Sequence, residues 1–332
     1  MIQLRISALQ LRASISCHVA ARRLRHIACR HSSQRVAESS GRASCKSQVP
    51  WNQMALAGGS FLFAGFVGGA TGVGHGMLSI TSLSQLPGLR YTQLQAVATS
   101  ATPFTLCGIS SGLMWLRDGL CDVPVALCLG SSGLLGVVIG VSFATNVPDT
   151  ILKLAFAGVL CFIMAPISIH SAIFKESPAS EHVSSKPVQV CESVGDAIVS
   201  TRLFWQENSV LAARHCGIGL LVGILTGAFA IGDTPVLIAY LTASGYTQKE
   251  AIGTAIVSTT PTMAYAAGLY LMRGSGVAVL IPVLSLAMFI GGAIGAKVSS
   301  LTLTDEQLQL LFSFFVFSIG TVTGYDALRA WR

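Results

Sequence analysis

Residues 68–76 read Gly-Gly-Ala-Thr-Gly-Val-Gly-His-Gly, with five glycines in nine positions. Each glycine inside a helix costs about 1 kcal/mol relative to alanine, so this stretch predicts a break in the backbone. An apolar run of spanning length, residues 54–73, precedes it, and a shorter apolar run, Gly76–Leu86, follows it. A bilayer span needs about 20 apolar residues, which the second run does not have. The stretch therefore predicts a helix that is interrupted within a membrane.

The composition of the whole chain agrees with this interpretation. Of its 332 residues, 52% are hydrophobic and 11% are charged, and the mean hydropathy is +0.66. Soluble domains carry about 25% charged residues, so this chain cannot cover itself with a water-facing surface. We expect an all-α, multi-pass membrane protein. Eight apolar runs approach the length of a span, namely 54–73, 95–116, 123–145, 151–173, 211–231, 250–272, 277–298 and 307–327.

A second interruption opens a second short apolar run, where Gly232-Asp233-Thr234-Pro235 leads into Pro235–Ala243. The two halves match at an offset of 155–158 residues, with Gly65, Gly69 and Gly74 opposite Gly223, Gly227 and Gly232, Thr99 opposite Thr254, and Gly136 and Gly140 opposite Gly291 and Gly295. We therefore predict two homologous repeats of about four transmembrane helices, each with a short glycine-broken or re-entrant segment. The repeats are residues 51–173 and 211–332, joined by a polar linker at 174–210. Paired, interrupted segments of this kind are typical of secondary transporters.

The short runs decide how the halves are related. If they re-enter, each half crosses the membrane four times and the halves are parallel; if they span, each half crosses five times and the halves are inverted. Their length favours re-entrance. In that arrangement the N-terminus, Arg117 and Arg273 lie on one side of the membrane.

Positive charge is concentrated at the N-terminus. Residues 1–50 hold nine Lys and Arg against one acid, Glu38, while the other 282 residues hold 12 basic and 13 acidic side chains. A basic segment confined to the terminus does not indicate nucleic-acid binding and is typical of a targeting sequence. Because it is rich in Arg and Ser, we predict a mitochondrial presequence and a location in the inner mitochondrial membrane. A plastid transit peptide and an untargeted basic tail are the alternatives.

The interrupted segments also give the candidate binding site. Backbone amides freed at the start of a short helix attract anions, so we expect a small anion to bind there. The ionisable side chains His75 and Asp233 are candidates for proton coupling, because such groups are costly at membrane depth. The alternatives are close helix packing by the glycines, a backbone hydrogen bond for His75 and helix capping by Asp233. The candidate substrate-binding residues are Gly72, Gly74, His75, Gly76, Thr99, Ser100, Gly232, Asp233, Thr234 and Thr254.

The two interruptions, each followed about 20 residues later by a similar element, Ala96–Ser100 or Ala251–Ala255, resemble the TauE/SafE family of membrane transporters. The resemblance covers nearly all of residues 55–327. It implies export of a small sulfur oxyanion or an organosulfonate, such as sulfite. The family typically has three glycines where this chain has Gly74-His75-Gly76 and Gly232-Asp233-Thr234, so both copies place an ionisable side chain at the same repeat position.

Other functional classes have less support. No Ser-His-Asp, His-Glu-x-x-His or paired-carboxylate pattern appears in the apolar runs, so we expect neither an enzyme nor a metal site, and no motif calls for a cofactor. The expected partners are the lipid bilayer and a small anionic substrate. A carrier of another small metabolite and a non-transporting membrane assembly or scaffold protein are the alternatives, and the oligomeric state is left open.

Overall fold

The computed structural model describes residues 50–73, 75–85, 91–159, 201, 206, 209–230 and 234–331. These residues form helices and no strand, which confirms the predicted all-α class. Residues 1–49 of the predicted presequence and most of the predicted linker lie outside the described ranges. So do three predicted site residues, Gly74, Gly232 and Asp233.

Residues 51–158 form one series of helices: α1 (Trp51–Thr71), α2 (His75–Gln85), α3 (Gln93–Arg117), α4 (Val123–Asn146) and α5 (Asp149–Gly158). Residues 209–331 form a second series: α6 (Ser209–Phe229), α7 (Thr234–Ala243), α8 (Gln248–Met272), α9 (Ile281–Thr302) and α10 (Asp305–Trp331). The first four helices of each series follow the same order of lengths, 21, 11, 25 and 24 residues against 21, 10, 25 and 22. Both predicted interruptions are confirmed, since α1 ends before α2 begins at His75 and α6 ends before α7 begins at Thr234.

Four of the described helices, α1, α4, α6 and α9, are long and apolar enough to cross a membrane. They correspond to four of the eight predicted spans. The predicted spans 95–116 and 250–272 form α3 and α8, which are as long but less apolar. Their Ser and Thr side chains, among them Thr99 and Thr254, are buried against other helices. Burial within the protein lets these central helices carry hydroxyl groups that lipid-facing helices exclude.

The two central helices begin in the same way. Thr92 caps α3 and Thr247 caps α8, and in each case the third helical residue, Gln95 or Glu250, returns a hydrogen bond to the cap. Such a capping box satisfies two amides that the first turn leaves without partners. The start of each central helix is therefore fixed by local sequence.

The most extensive helix contacts join the two series, with α1 against α9 and α4 against α6. Glycines permit them: a Cβ atom at Gly69 would overlap the backbone of Gly292, and one at Gly223 would overlap the backbone of Gly133. Small residues allow close backbone approach between membrane helices, where packing replaces the hydrophobic effect. At these positions the glycines therefore allow close helix packing, the alternative to a role in anion binding.

Three helices, α1, α3 and α9, run in one direction, and three, α4, α6 and α8, run in the other. The direction within each pair follows from two contacts. In a parallel pair the residue numbers on both helices rise from the first contact to the second, and in an antiparallel pair one rises while the other falls. The contacts are Gly65–Met288 and Gly69–Gly292 for α1 and α9, Gly65–Cys107 and Gly69–Trp115 for α1 and α3, Gly133–Gly223 and Val137–Gly227 for α4 and α6, Gly130–Ser258 and Gly133–Thr262 for α4 and α8, and Gly108–Thr260 and Gly112–Ile256 for α3 and α8.

Because α1 and α3 point the same way, the chain must return between them. Trp115, near the end of α3, contacts Gly69, near the end of α1, so both helices end at a similar depth. Between Gly72 and Thr92 the chain therefore returns over most of the length of α3, a helix about 37 Å long at 1.5 Å per residue. A re-entrant segment would instead bring the chain back to the end where α1 stops, so re-entrance is not confirmed.

Corresponding helices of the two series run in opposite directions, as in the alternative with inverted halves. Arg117 follows the direction of α3 and Arg273 that of α8, so these two arginines lie at opposite ends of an antiparallel pair rather than on one side. The prediction of re-entrance considered only the length of the apolar runs, and not the residues that connect them to the neighbouring helices. Residues outside α2, such as Gly72, Val73, Tyr91 and Thr92, add to the distance that the chain covers between the flanking helices.

Candidate functional site

Both short helices follow a helix end of the same kind. After α1, Gly72 adopts a left-handed conformation with φ of 72° and donates its N–H to the carbonyl of Gly68 at 2.8 Å. After α6, Ala230 has φ of 42° and donates to the carbonyl of Thr226 at 2.8 Å. A left-handed residue ends a helix in this way, and it costs alanine about 1–2 kcal/mol that glycine does not incur.

The end of α1 leaves one carbonyl without its helical partner. The N–H of Val73, which would return to Gly69 in a continuous helix, lies 3.2 Å from the hydroxyl oxygen of Thr71. The indole nitrogen of Trp115 donates to the Gly69 carbonyl instead, at 3.2 Å, and its ring is fully buried. A side chain of the central helix α3 thus satisfies the end of α1.

An equivalent bond exists in the second series. The hydroxyl of Tyr270, on the central helix α8, donates to the carbonyl of Gly227, and Tyr270 is also fully buried. The sequence analysis missed both aromatic residues, because a single aromatic side chain in an apolar run is typical of any core. Their separation of 155 residues, the offset of the segments around them, was the available signal.

The two interruptions meet each other. A Cβ atom at Gly72 would lie 3.2 Å from Cγ2 of Thr234 and 2.7 Å from Cδ1 of Ile238, both on α7. It would also lie 3.5 Å from Ile252 on α8. The structure therefore brings Gly72 and Thr234 together, at the contact between the two series.

His75 begins α2 and is 2% exposed. Its ring stacks on Phe104 of α3, with centroids 3.9 Å apart and planes inclined by 10°. Gly68 makes room for it, since a Cβ there would overlap the His75 side chain. The Nδ1 atom of the ring has no hydrogen-bond partner within the described residues. The backbone carbonyls of His75 and Gly76 both accept from the Ser79 hydroxyl.

Thr234 begins α7 and is fully buried, and its hydroxyl has no hydrogen-bond partner within the described residues. Buried polar atoms are nearly always paired, so the unpaired Thr234 hydroxyl and the unpaired Nδ1 of His75 each leave capacity for a ligand. The start of a helix also carries a partial positive charge of about half an elementary charge. This arrangement can attract an anion and offer it hydroxyl and ring hydrogen-bonding groups.

Thr99 and Thr254 are not brought together. The hydroxyl oxygen of Thr99 accepts the N–H of Val277 at 3.0 Å, and that of Thr254 accepts the N–H of Asp122 at 2.9 Å. Gly253 lies against Trp115, sixteen residues along α3 from Thr99. At 1.5 Å per residue this separates the two threonines by about 24 Å, so one small anion cannot contact both.

Ser100 is buried near Thr99, and its hydroxyl donates to the carbonyl of Val97 within α3 at 3.0 Å. The other predicted site residues, Gly74, Gly232 and Asp233, belong to the part of the chain outside the described ranges. Of the candidates that are described, Gly72 and Thr234 meet, whereas His75 and Gly76 begin α2, where His75 contacts Gly68 and Phe104.

One end of the molecule has a carboxylate that the sequence analysis missed. Asp122 caps α4 by accepting the N–H of Val125 at 3.2 Å, and it also accepts the hydroxyl of Tyr246 at 2.8 Å. Burial raises the pKa of Asp122 above its ordinary value, the charge of Glu250 adds to this, and the two hydrogen bonds oppose it. At the other end, the position equivalent to Asp122 is Val277.

Among the residues that the structure describes, no three His, Cys, Asp or Glu side chains are grouped so that they could hold a metal ion. The polar groups at the two interruptions are the Thr234 hydroxyl, the His75 ring nitrogen and the amides at the helix starts. Their chemistry suits an oxyanion better than a cation.

Antiparallel apolar helices, two of them interrupted helices that meet where Gly72 contacts Thr234, are typical of a membrane transport protein. Residues 57–323 match the sulfite exporter TauE/SafE family, and the chain belongs to this family. The resemblance found in the sequence is thereby confirmed.

A curated relative is a probable membrane transporter protein of Bacillus subtilis (strain 168), YdhB. It is 24% identical over 242 residues, which cover 72% of this chain and 86% of the relative. No solved structure matches the chain significantly.

Proposed function

We propose that the protein moves a small anion, most simply a sulfur oxyanion or organosulfonate such as sulfite, across an organelle membrane. One observation carries the proposal: the end of α1 at Gly72 contacts the start of α7 at Thr234, whose buried hydroxyl has no partner within the described residues. Helix starts attract negative charge, and unpaired buried donors are costly unless a ligand uses them. The family description, sulfite exporter, supports the choice of anion.

Uptake into proteoliposomes tests this proposal. Purified protein should take up at least one of sulfite, sulfate, thiosulfate and a small alkyl sulfonate faster than empty liposomes do. If it takes up none of them, the anion proposal fails. A carrier of another metabolite, or a membrane assembly protein that transports nothing, then becomes the better interpretation.

The Thr234 hydroxyl can be tested against a matched threonine on the same helix. Thr234→Val removes an unpaired hydroxyl, whereas Thr242→Val removes one that bonds within the helix to Ile238 at 2.7 Å. A hydrogen bond to an anion is stronger than one between neutral groups, so we expect Thr234→Val to raise the half-saturating anion concentration about tenfold or more. Thr242→Val should leave that concentration unchanged. Equal effects of the two variants would remove Thr234 from the site.

We further propose that a proton on Asp233, assisted by His75, favours binding of the anion. A nearby anion raises the pKa of a carboxyl group, so the proton and the substrate strengthen each other's binding. By reciprocity, substrate affinity rises as the pH falls through the pKa of Asp233. Asp233→Asn should retain transport and flatten its pH dependence, which uptake across a pH series measures. An unchanged slope would contradict proton coupling.

We propose a duplicated origin for the two series, with inverted orientation in the membrane. The equivalent hydrogen bonds of Thr99 and Thr254, and those of Trp115 and Tyr270, support it. Cysteines at Asp118 and Ser275, introduced into a cysteine-depleted chain, should react with an impermeant maleimide from opposite sides. Labelling of both from one side would contradict the inversion.

We propose the inner mitochondrial membrane as the location, on the basis of the Arg- and Ser-rich residues 1–50. Fused to a soluble reporter, these residues should direct it to mitochondria. A reporter found in plastids would favour a transit peptide, and one left in the cytosol would favour an untargeted tail.

A further inference from the structure

The carbonyls of Gly69 and Gly227 occupy equivalent places at the ends of α1 and α6, three residues before the left-handed residues Gly72 and Ala230. Trp115 and Tyr270 satisfy these carbonyls from the central helices α3 and α8. We propose that Trp115 and Tyr270 are positioning residues, which keep the two helices interrupted so that the short helices begin at the anion site. This inference rests on the proposed function.

The competition at Gly69 shows how such a residue acts. In a continuous α-helix the Gly69 carbonyl would accept the N–H of Val73, and α1 would extend by another turn. Here Thr71 accepts that N–H at 3.2 Å, and Trp115 takes the carbonyl. Without the indole donor, the buried carbonyl is satisfied only if Val73 returns to it. That change removes the interruption and withdraws Gly72 from Thr234.

The donors are placed on rigid supports. Trp115 and Tyr270 lie near the ends of α3 and α8, the antiparallel central pair, and both side chains are fully buried. The two series use different donors, an indole and a phenol, for the same carbonyl position. A requirement for a donor, rather than for a particular ring, explains why the residue type differs while the bond recurs.

Substitution with phenylalanine removes each donor and keeps an aromatic ring. Trp115→Phe and Tyr270→Phe should each raise the half-saturating concentration of the transported anion about tenfold, the usual effect of one lost hydrogen bond, with the maximal rate nearly retained. Trp115→Tyr, which restores a donor, should recover part of the affinity. Tyr265→Phe on the exposed face of α8 is the control and should behave as the wild type.

Amide hydrogen exchange of the full-length protein in detergent gives a readout that needs no substrate. Trp115→Phe should alter exchange of residues 72–76 and leave residues 230–235 unchanged, and Tyr270→Phe should do the reverse. A purely structural role predicts a smaller yield of folded protein with an unchanged half-saturating concentration.

The outcomes separate the two proposals. If the wild type transports an anion and both phenylalanine variants keep its half-saturating concentration, the positioning role is overturned. If the wild type transports none of the anions, the proposed function fails, and the exchange data alone decide whether these residues hold the interruptions. Unchanged exchange in both variants would overturn the inference in either case.

Discussion

The interruption between α1 and α2 and the one between α6 and α7 share a backbone plan but not their side chains. The first ends on Gly72 and is held by Trp115; the second ends on Ala230 and is held by Tyr270. A left-handed residue after the helix and a side-chain donor to the carbonyl three residues earlier are common to both. The comparison teaches that the broken helix is specified by geometry and donor position, which several residue types satisfy.

The largest expected effect tests whether both interruptions depend equally on close packing. Gly69→Ala and Gly227→Ala each place a methyl group against the backbone of a neighbouring helix, at Gly292 and Val137 respectively. Backbone cannot move aside as a side-chain end can, so we expect each variant to lose about 3 kcal/mol of unfolding free energy. Thermal unfolding in detergent measures this loss.

Two glycines on the same helices serve as controls. Gly59 on α1 and Gly217 on α6 have open space where a Cβ would lie. Alanine there should stabilise each helix by about 0.5–1 kcal/mol, the opposite sign. If Gly69→Ala destabilises and Gly227→Ala does not, the two interruptions are not packed alike.

The next effect separates the two left-handed residues. Gly72→Ala should cost about 2 kcal/mol, because alanine is strained at φ of 72° and its methyl group meets Ile238. Ala230→Gly should gain about 1–2 kcal/mol of stability from the relief of strain. It should lose about 0.8 kcal/mol with the buried methyl group, and a further amount because glycine makes the unfolded chain more flexible. The stability of that variant should stay within about 0.5 kcal/mol of the wild type. Equal losses in the two variants, seen in thermal unfolding, would show that Ala230 is not strained.

The smallest effect concerns the ends of the central helices, where Asp122 has Val277 as its counterpart. The raised pKa of Asp122 means that its contribution to stability is complete below the ordinary value, about 3.9, and is lost as the pH rises through the raised value. Asp122→Asn should therefore reduce the fall in thermal stability between acidic and neutral pH. Asp118→Asn, at an exposed neighbour, is the control. Identical pH profiles for the wild type and Asp122→Asn would contradict this assignment.

Local features of the fold could be predicted from sequence. The glycines at 68–76 and Pro235 gave the positions of both interruptions, because glycine and proline act on the backbone of their own segment. The directions of the helices could not be predicted in this way. They depend on contacts between helices, such as Gly69 with Gly292, which run length does not contain.

The candidate site shows the same division. His75 and Thr234 were predicted from the interruptions that contain them. Thr99 and Thr254 were chosen because they repeat, but equivalent positions in antiparallel helices lie at opposite ends rather than side by side. Trp115 and Tyr270 act across helices, and only the folded arrangement reveals the carbonyls that they satisfy.

The opposite directions of α3 and α8 also bear on how the chain is inserted during biogenesis. The insertion machinery keeps Lys- and Arg-rich loops on the cytoplasmic side or its equivalent. Arg117 and Arg273 lie at opposite ends of this pair, so their charges favour opposite orientations of the protein in the membrane. Because no single orientation places both arginines on that side, the remaining Lys and Arg residues of the loops contribute to the choice of orientation. Adding or removing a single arginine in these short loops should then have a large effect on the orientation of the whole protein in the membrane.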